Sequence, residues 1–297
     1  MNRFISGIFA LILTWAGAAV PVRAGGTGRG ECRSLPSKIL GHPVAYCALL
    51  PPSYDSDKGR RYPVLYLLHG LGQNEQMLVG TGGWNLVEDL WEENRIGEFL
   101  IITPAADASF DINSRDGRVR YEDFFLQEFI PGIESHYRTK PGREERGISG
   151  ISMGGYGSLH LAFRHPRLFG SVSAHSAALM GKLPTISAGA VQQSPRLRML
   201  GHVFGFPPDQ AFWNSNNPLE LARTANPAGL AIYFDCGSED SYGFYAGAEA
   251  LDKTLTARRI PHEFHIYPGG HDWTYFAQHL PESLEFHSRV FGANGTK

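Results

Sequence analysis

The sequence predicts an α/β protein with a mostly parallel central sheet and helices on both faces. Two observations predict it. Short runs that are apolar at every position alternate with longer stretches of amphipathic, helical spacing, the pattern of strands buried on both faces by crossover helices. In addition, the residues able to do chemistry fall just after the apolar runs, at strand ends.

The chain has 297 residues, 42% of them hydrophobic and 19% charged, which fits a globular protein with a sizeable core and excludes a disordered one. Its 27 basic and 29 acidic residues leave a net charge of -2, and no run of like charges offers a surface for nucleic acid or anionic membrane. No linker of distinct composition divides it, so residues 25–297 read as one domain.

The first 24 residues read as an export signal. Asn2-Arg3 is a short basic start, Phe4 to Val20 is largely apolar, and Val22-Arg23-Ala24 offers small residues where a signal peptidase reads. Cleavage after Ala24 and a secreted or periplasmic protein without a membrane span follow from that reading. A retained anchor is the alternative, but the apolar run ends early, at Pro21. Export permits disulfides. Cys32 and Cys47 flank the turn-like Leu40-Gly41-His42-Pro43 between two alternating segments, so they are read either as a bridged pair in a hairpin or as two separate thiols. Cys236, in an apolar run, reads as buried and inert.

The expected strands are Val64–Leu68, Phe99–Thr103, Phe169–Val172 and Ala231–Phe234, with Arg146–Ser149 weaker and Glu263–Tyr267 last. The expected helices cover Phe124 to Ile133, Leu159 to Phe163, Tyr245 to Arg258 and Tyr275 to Phe291. Residues 174–230 interrupt the alternation, being rich in Pro and aromatics. They are expected to form a cap-like insertion over the sheet's carboxyl edge.

Gly150-Ile151-Ser152-Met153-Gly154 is a G-x-S-x-G between a strand and a helix, the context of a nucleophile elbow. The plain alternative is a glycine-rich turn in which Ser152 caps the helix. A serine hydroxyl needs a base, and the base needs an orienting carboxylate. The strand ending near Phe234 runs into Cys236-Gly237-Ser238-Glu239-Asp240, and the last strand runs into Pro268-Gly269-Gly270-His271-Asp272. Serine, acid, histidine is the chain order of the α/β-hydrolase fold, with Glu239, Asp240 and Asp272 all near the place of the acid. The turn His69-Gly70-Leu71-Gly72 after Val64–Leu68 would bring the Leu71 amide beside that of Met153 as an oxyanion hole.

Tyr62 to Gly72, Tyr121 to Glu134 and Gly150 to Gly157 together resemble the putative-esterase family. That family groups esterase D and S-formylglutathione hydrolases, tributyrin esterases, feruloyl esterases and the antigen 85 mycolyltransferases. The resemblance spans roughly Lys38 to Phe291. It implies an α/β-hydrolase fold with Ser152 as nucleophile, Asp240 as acid, His271 as base, and Leu71 and Met153 amides as oxyanion donors. The expected activity is hydrolysis of small-molecule or carbohydrate-linked esters without cofactor or metal. Acyl transfer at the same site and a non-catalytic ligand-binding protein are the alternatives, and oligomeric state is left open. Trp84, Phe212 and Trp213 are read as apolar walls of the substrate pocket, with plain core packing of a helical insert as the alternative for each aromatic. His262 and His265, three apart on a strand, would face opposite sides and do not suit one metal.

Overall fold

The computed structural model describes residues 27–183, 195–227 and 229–293, so the expected leader lies outside the described residues. Eight strands form one sheet: β1 (Arg29–Leu35), β2 (Val44–Leu50), β3 (Val64–Leu68), β4 (Leu100–Pro104), β5 (Arg146–Gly150), β6 (Ser171–His175), β7 (Ala231–Gly237) and β8 (Glu263–Tyr267). Their spatial order is β1-β2-β4-β3-β5-β6-β7-β8. From β4 through β8 every pairing is parallel, and β1 and β2 extend the sheet by antiparallel pairing. This is the α/β-hydrolase arrangement expected from the chain order.

The alternation of side chains along a strand explains why β3 is apolar throughout. Val64, Tyr66 and Leu68 point into one core, while Leu65 and Leu67 point into the other. On the second face lie α1 (Met77–Thr81), α2 (Gly83–Glu92) and, from the far end of the chain, α10 (Trp273–Ala293). The first face is covered by α3 (Tyr121–Phe124), a π-helical turn at Phe125–Phe129, α4 (Ile130–His136), α5 (Met153–Arg164) and α9 (Phe244–Ala257). At the sheet edge Cys32 stands opposite Cys47 in the β1–β2 register, and the two are joined by a disulfide.

Two expectations shift. Strand β6 lies at Ser171–His175 rather than Phe169–Val172, so the expected insertion loses its first two residues to the sheet. Its polar residues Ser171, Ser173 and His175 are buried because they meet hydrogen-bonding partners on α10, which an apolar-run reading does not detect. After β6 come α6 (Pro195–Phe204), α7 (Gln210–Asn216) and α8 (Pro218–Thr224). Asp209 and Asn217 cap α7 and α8 through their side chains, and Pro218 opens α8. Helix α8 packs on α5 and α9 as part of the helical layer, leaving α6 to border the carboxyl edge of the sheet.

Candidate active site

The β5-to-α5 turn holds Ser152 at φ 57° and ψ −109°, a conformation disfavoured for any residue with a Cβ. The flanking glycines permit it. A Cβ on Gly150 would lie 2.1 Å from the Gly154 carbonyl oxygen, and one on Gly154 would lie 2.3 Å from that of Leu68. The Ser152 side chain makes no cap bond to α5. Its Oγ instead stands 2.9 Å from His271 Nε2.

His271 arrives on the loop after β8, and its Nδ1–H donates to Asp240 Oδ2 over 2.7 Å. That bond fixes the tautomer and leaves Nε2 free to accept from the serine. Asp240 is buried in the loop after β7 and also accepts from the Tyr242 amide at 2.8 Å. Burial pushes its carboxyl up, but the hydrogen bond and charge of His271 and the amides of Tyr242 and Phe244 outweigh burial, so it titrates below the usual aspartate range. Cys236, a buried thiol pushed up to about 12 by desolvation, donates weakly to Asp240 Oδ2 across 3.7 Å. Three rings surround the imidazole edge-on, Tyr242 at 4.8 Å, Phe276 at 5.4 Å and Phe244 at 5.5 Å between centroids. These contacts restrict the orientations open to it.

The competing carboxylates are engaged otherwise. Asp272 Oδ1 accepts from the Tyr275 amide and caps α10, while Glu239 is exposed. Opposite the serine, His69 braces the turn after β3. Its Nε2 accepts from the Ala106 amide at 2.9 Å, so Nδ1 carries the proton given to the Gly70 carbonyl at 2.8 Å. Burial lowers its pKa and keeps the ring neutral. Gln73 Oε1 accepts from the Gly70 amide at 3.0 Å. Among the described residues the amides of Leu71 and Met153 donate to no partner. Both residues line a cavity of about 360 Å³ that also contains Ser152 and His271.

The expected pocket aromatics lie elsewhere. Trp213 is fully buried, with its ring 5.6 Å from Tyr156 and 4.8 Å from Phe204, and Phe212 packs on Phe204 beside it. Trp84, on α2, packs on the second face beside Gly30 of β1. The cavity walls come instead from Phe110, Met180, Met199, Leu200, Tyr242 and Trp273. Aromatic content marked the insertion, but the side of α7 that faces inward depends on Tyr156, distant in sequence. Among the described residues no group of His, Cys, Asp and Glu could hold a metal ion.

An esterase of Mycobacterium tuberculosis is 33% identical over 241 residues, 75% of this chain and 51% of that protein. The chain thus spans about half the length of that curated relative. An acetyl esterase of Caldicellulosiruptor saccharolyticus is 25% identical over 86% of this chain and 96% of its own. The structure of a ferulic acid esterase superposes with a TM-score of 0.76 at 26% identity, covering 89% of this chain and 99% of that one. The family model described as putative esterase matches residues 37–287. That span takes in seven of the eight strands and every loop carrying Ser152, Asp240 and His271, and the chain belongs to the putative-esterase family.

Proposed function

We propose that the chain is an exported serine esterase that hydrolyses carboxylic esters through an acyl-enzyme. The observation that carries this is the hydrogen-bonded series Ser152 Oγ, His271 Nε2, His271 Nδ1 and Asp240 Oδ2 opening into one cavity. Nε2 takes the serine proton as Oγ attacks the ester carbonyl carbon, and the resulting oxyanion is held by the Leu71 and Met153 amides. The imidazolium, stabilised by Asp240, returns the proton to the leaving alkoxide as the C–O bond breaks. Water, deprotonated by the same imidazole, then attacks the acyl-serine and releases the acid. The names of the relatives, esterases in three separate proteins, support the same reaction class.

Treatment with a fluorophosphonate followed by peptide mass spectrometry tests the assignment. The adduct is expected on Ser152, and an adduct elsewhere or none would end it. Export draws support from the Cys32–Cys47 bridge, which persists in oxidising compartments. The reading of residues 25–297 as one domain is supported by a single sheet drawing strands from Arg29 through Tyr267. N-terminal sequencing of the cell-envelope or culture-fluid protein should begin at Gly25, and a mature chain beginning at Met1 would refute cleavage.

A further inference from the structure

A second cavity, of about 780 Å³, lies beside the catalytic one. Met199 of α6 borders both, and the loop after β4 runs between them, with Ser109 and Ile112 lining the large chamber and Phe110 the catalytic one. Phe110 and Asp111 both take left-handed backbone, with φ of 55° and 58°, and both are buried. Phe110 is pinned at 5.4 Å from Tyr156 and 5.3 Å from Phe204, so this wall is packed in place.

The chemistry of the large chamber is aliphatic. Val44, Ala105, Ala106, Ile112, Met199 and Val203 supply its floor and walls. Two of the hydroxyl protons that border it are already committed, Tyr121 to the Ala105 carbonyl at 2.8 Å and Ser114 to Asp116 at 2.8 Å, and Ser109 accepts from the Asp111 amide at 3.1 Å. Among the described residues, the acidic, basic and imidazole groups that line it, Asp107, His42, Arg198 and His202, all stand at exposed positions. A sugar needs free hydrogen-bond partners and is commonly met by exposed ring faces. Among the described residues that line it, the one phenyl ring, that of Tyr121, is buried and hydrogen-bonded. An unbranched hydrocarbon chain asks only for apolar surface and a route from the ester carbon.

We propose that this chamber holds a medium to long alkyl chain of the ester, passing from Ser152 alongside Met199. The inference rests on the esterase reading and deepens it by naming the substrate class. Chain length then sets rate: each buried methylene multiplies binding by up to about fourfold. The same alkyl chemistry can belong to the acyl or the alcohol part, and the assay separates them.

kcat/KM is measured on the full mature chain for p-nitrophenyl acetate, hexanoate and decanoate, and for decyl acetate against ethyl acetate. The measurements are repeated in Ala108→Trp and Val119→Trp, two fillers of the chamber at positions that are not fully buried, each checked by thermal melting. The wild type is expected to favour one ten-carbon ester over its short partner by at least about tenfold. Either filler is expected to cut that preference about tenfold or more. A response in the decanoate series places the chain on the acyl side, and a response in decyl acetate places it on the alcohol side. Acetate turnover with no long-chain preference, or with a preference that neither folded filler alters, overturns the chamber assignment and leaves the esterase reading standing. Failure of every ester together with no fluorophosphonate adduct on Ser152 overturns both.

Discussion

Among the described residues are two Ser–His–Asp sets with nearly the same spacings and different surroundings. At the cavity, Ser152 Oγ lies 2.9 Å from His271 and His271 lies 2.7 Å from Asp240. Between β6, β7 and α10, Ser283 Oγ lies 2.7 Å from His175 Nε2, and His175 Nδ1 lies 2.7 Å from Asp235 Oδ2. The second set is sealed, with Ser283 and His175 at 0% exposure and Asp235 at 1%. Its serine also has a second acceptor within reach, the Leu280 carbonyl within α10 at 3.0 Å, beside His175 Nε2. Asp235 in turn accepts from Tyr275 at 2.7 Å. Residue types and distances therefore do not define a nucleophile. Access and a pair of unengaged amides do.

Removing each serine is the strongest way to break the comparison. Ser152→Ala is expected to lower kcat by about 10⁴-fold to 10⁶-fold with the melting temperature nearly unchanged. Ser283→Ala should leave kcat within about threefold and cost about 1–3 kcal/mol of stability, since buried His175 loses a partner. Steady-state kinetics beside urea unfolding read both effects, and a dead Ser283→Ala that folds normally would erase the distinction. The acids follow the same division. Asp240→Asn should lose about 10⁴-fold in kcat by presenting the wrong partner to His271 Nδ1, whereas Glu239→Gln should change it less than about twofold. Full activity in the first variant and collapse in the second would move the role to Glu239.

The sealed region is also where pH should act on stability. His287 lies buried between Ser171 Oγ at 2.7 Å and Ser173 Oγ at 2.9 Å, and burial, reinforced by the charge of His175, lowers its pKa from 6.5 to about 3. The unfolded chain therefore takes up a proton below pH 6.5 that the folded chain refuses until about pH 3. Stability should fall by up to about 5 kcal/mol as pH drops through that window. Asp240, with its lowered pKa, adds a loss at the acid end in the same direction. Urea midpoints measured from pH 7.5 to 4.5 should show the slope, and His287→Gln should flatten it.

The smallest effect is expected at the proposed nucleophile. Ser152→Gly should raise stability by about 0.5–1 kcal/mol, because relief of a backbone strained at φ 57° and ψ −109° exceeds the loss of one partly solvated hydrogen bond. Ser283→Gly, inside a helix, should have the opposite sign. A melting temperature for Ser152→Gly at or below wild type would contradict the strain.

Much of this was legible in the sequence because the signals are local. A strand segment followed by Gly-x-Ser-x-Gly carries its own strand, turn and helix, and the loops bearing Asp240 and His271 also follow strand segments, although Arg146–Ser149 and Glu263–Tyr267 are not apolar throughout. The pairing of Cys32 with Cys47 was open from spacing and closed by the antiparallel register of β1 and β2. What could not be read locally was which way side chains face across the tertiary structure. Trp213 is a core residue because Tyr156 and Phe204 enclose it, and Met199 is a wall residue because α6 crosses the sheet edge. The buried polar seam was invisible for a related reason. Ser171, Ser173 and His175 look like an exposed strand face until α10 supplies Ser283 and His287 one turn apart.

The backbone of Ser152 has a consequence for the protein's history and for anyone who alters it. The residue on which the proposed turnover depends is the one whose replacement by glycine should make the chain sturdier. A heat-resistance screen run without an activity assay would therefore drift toward inert protein. Mutational decay would meet no folding penalty at this position, so serine persists there only while hydrolysis itself is selected.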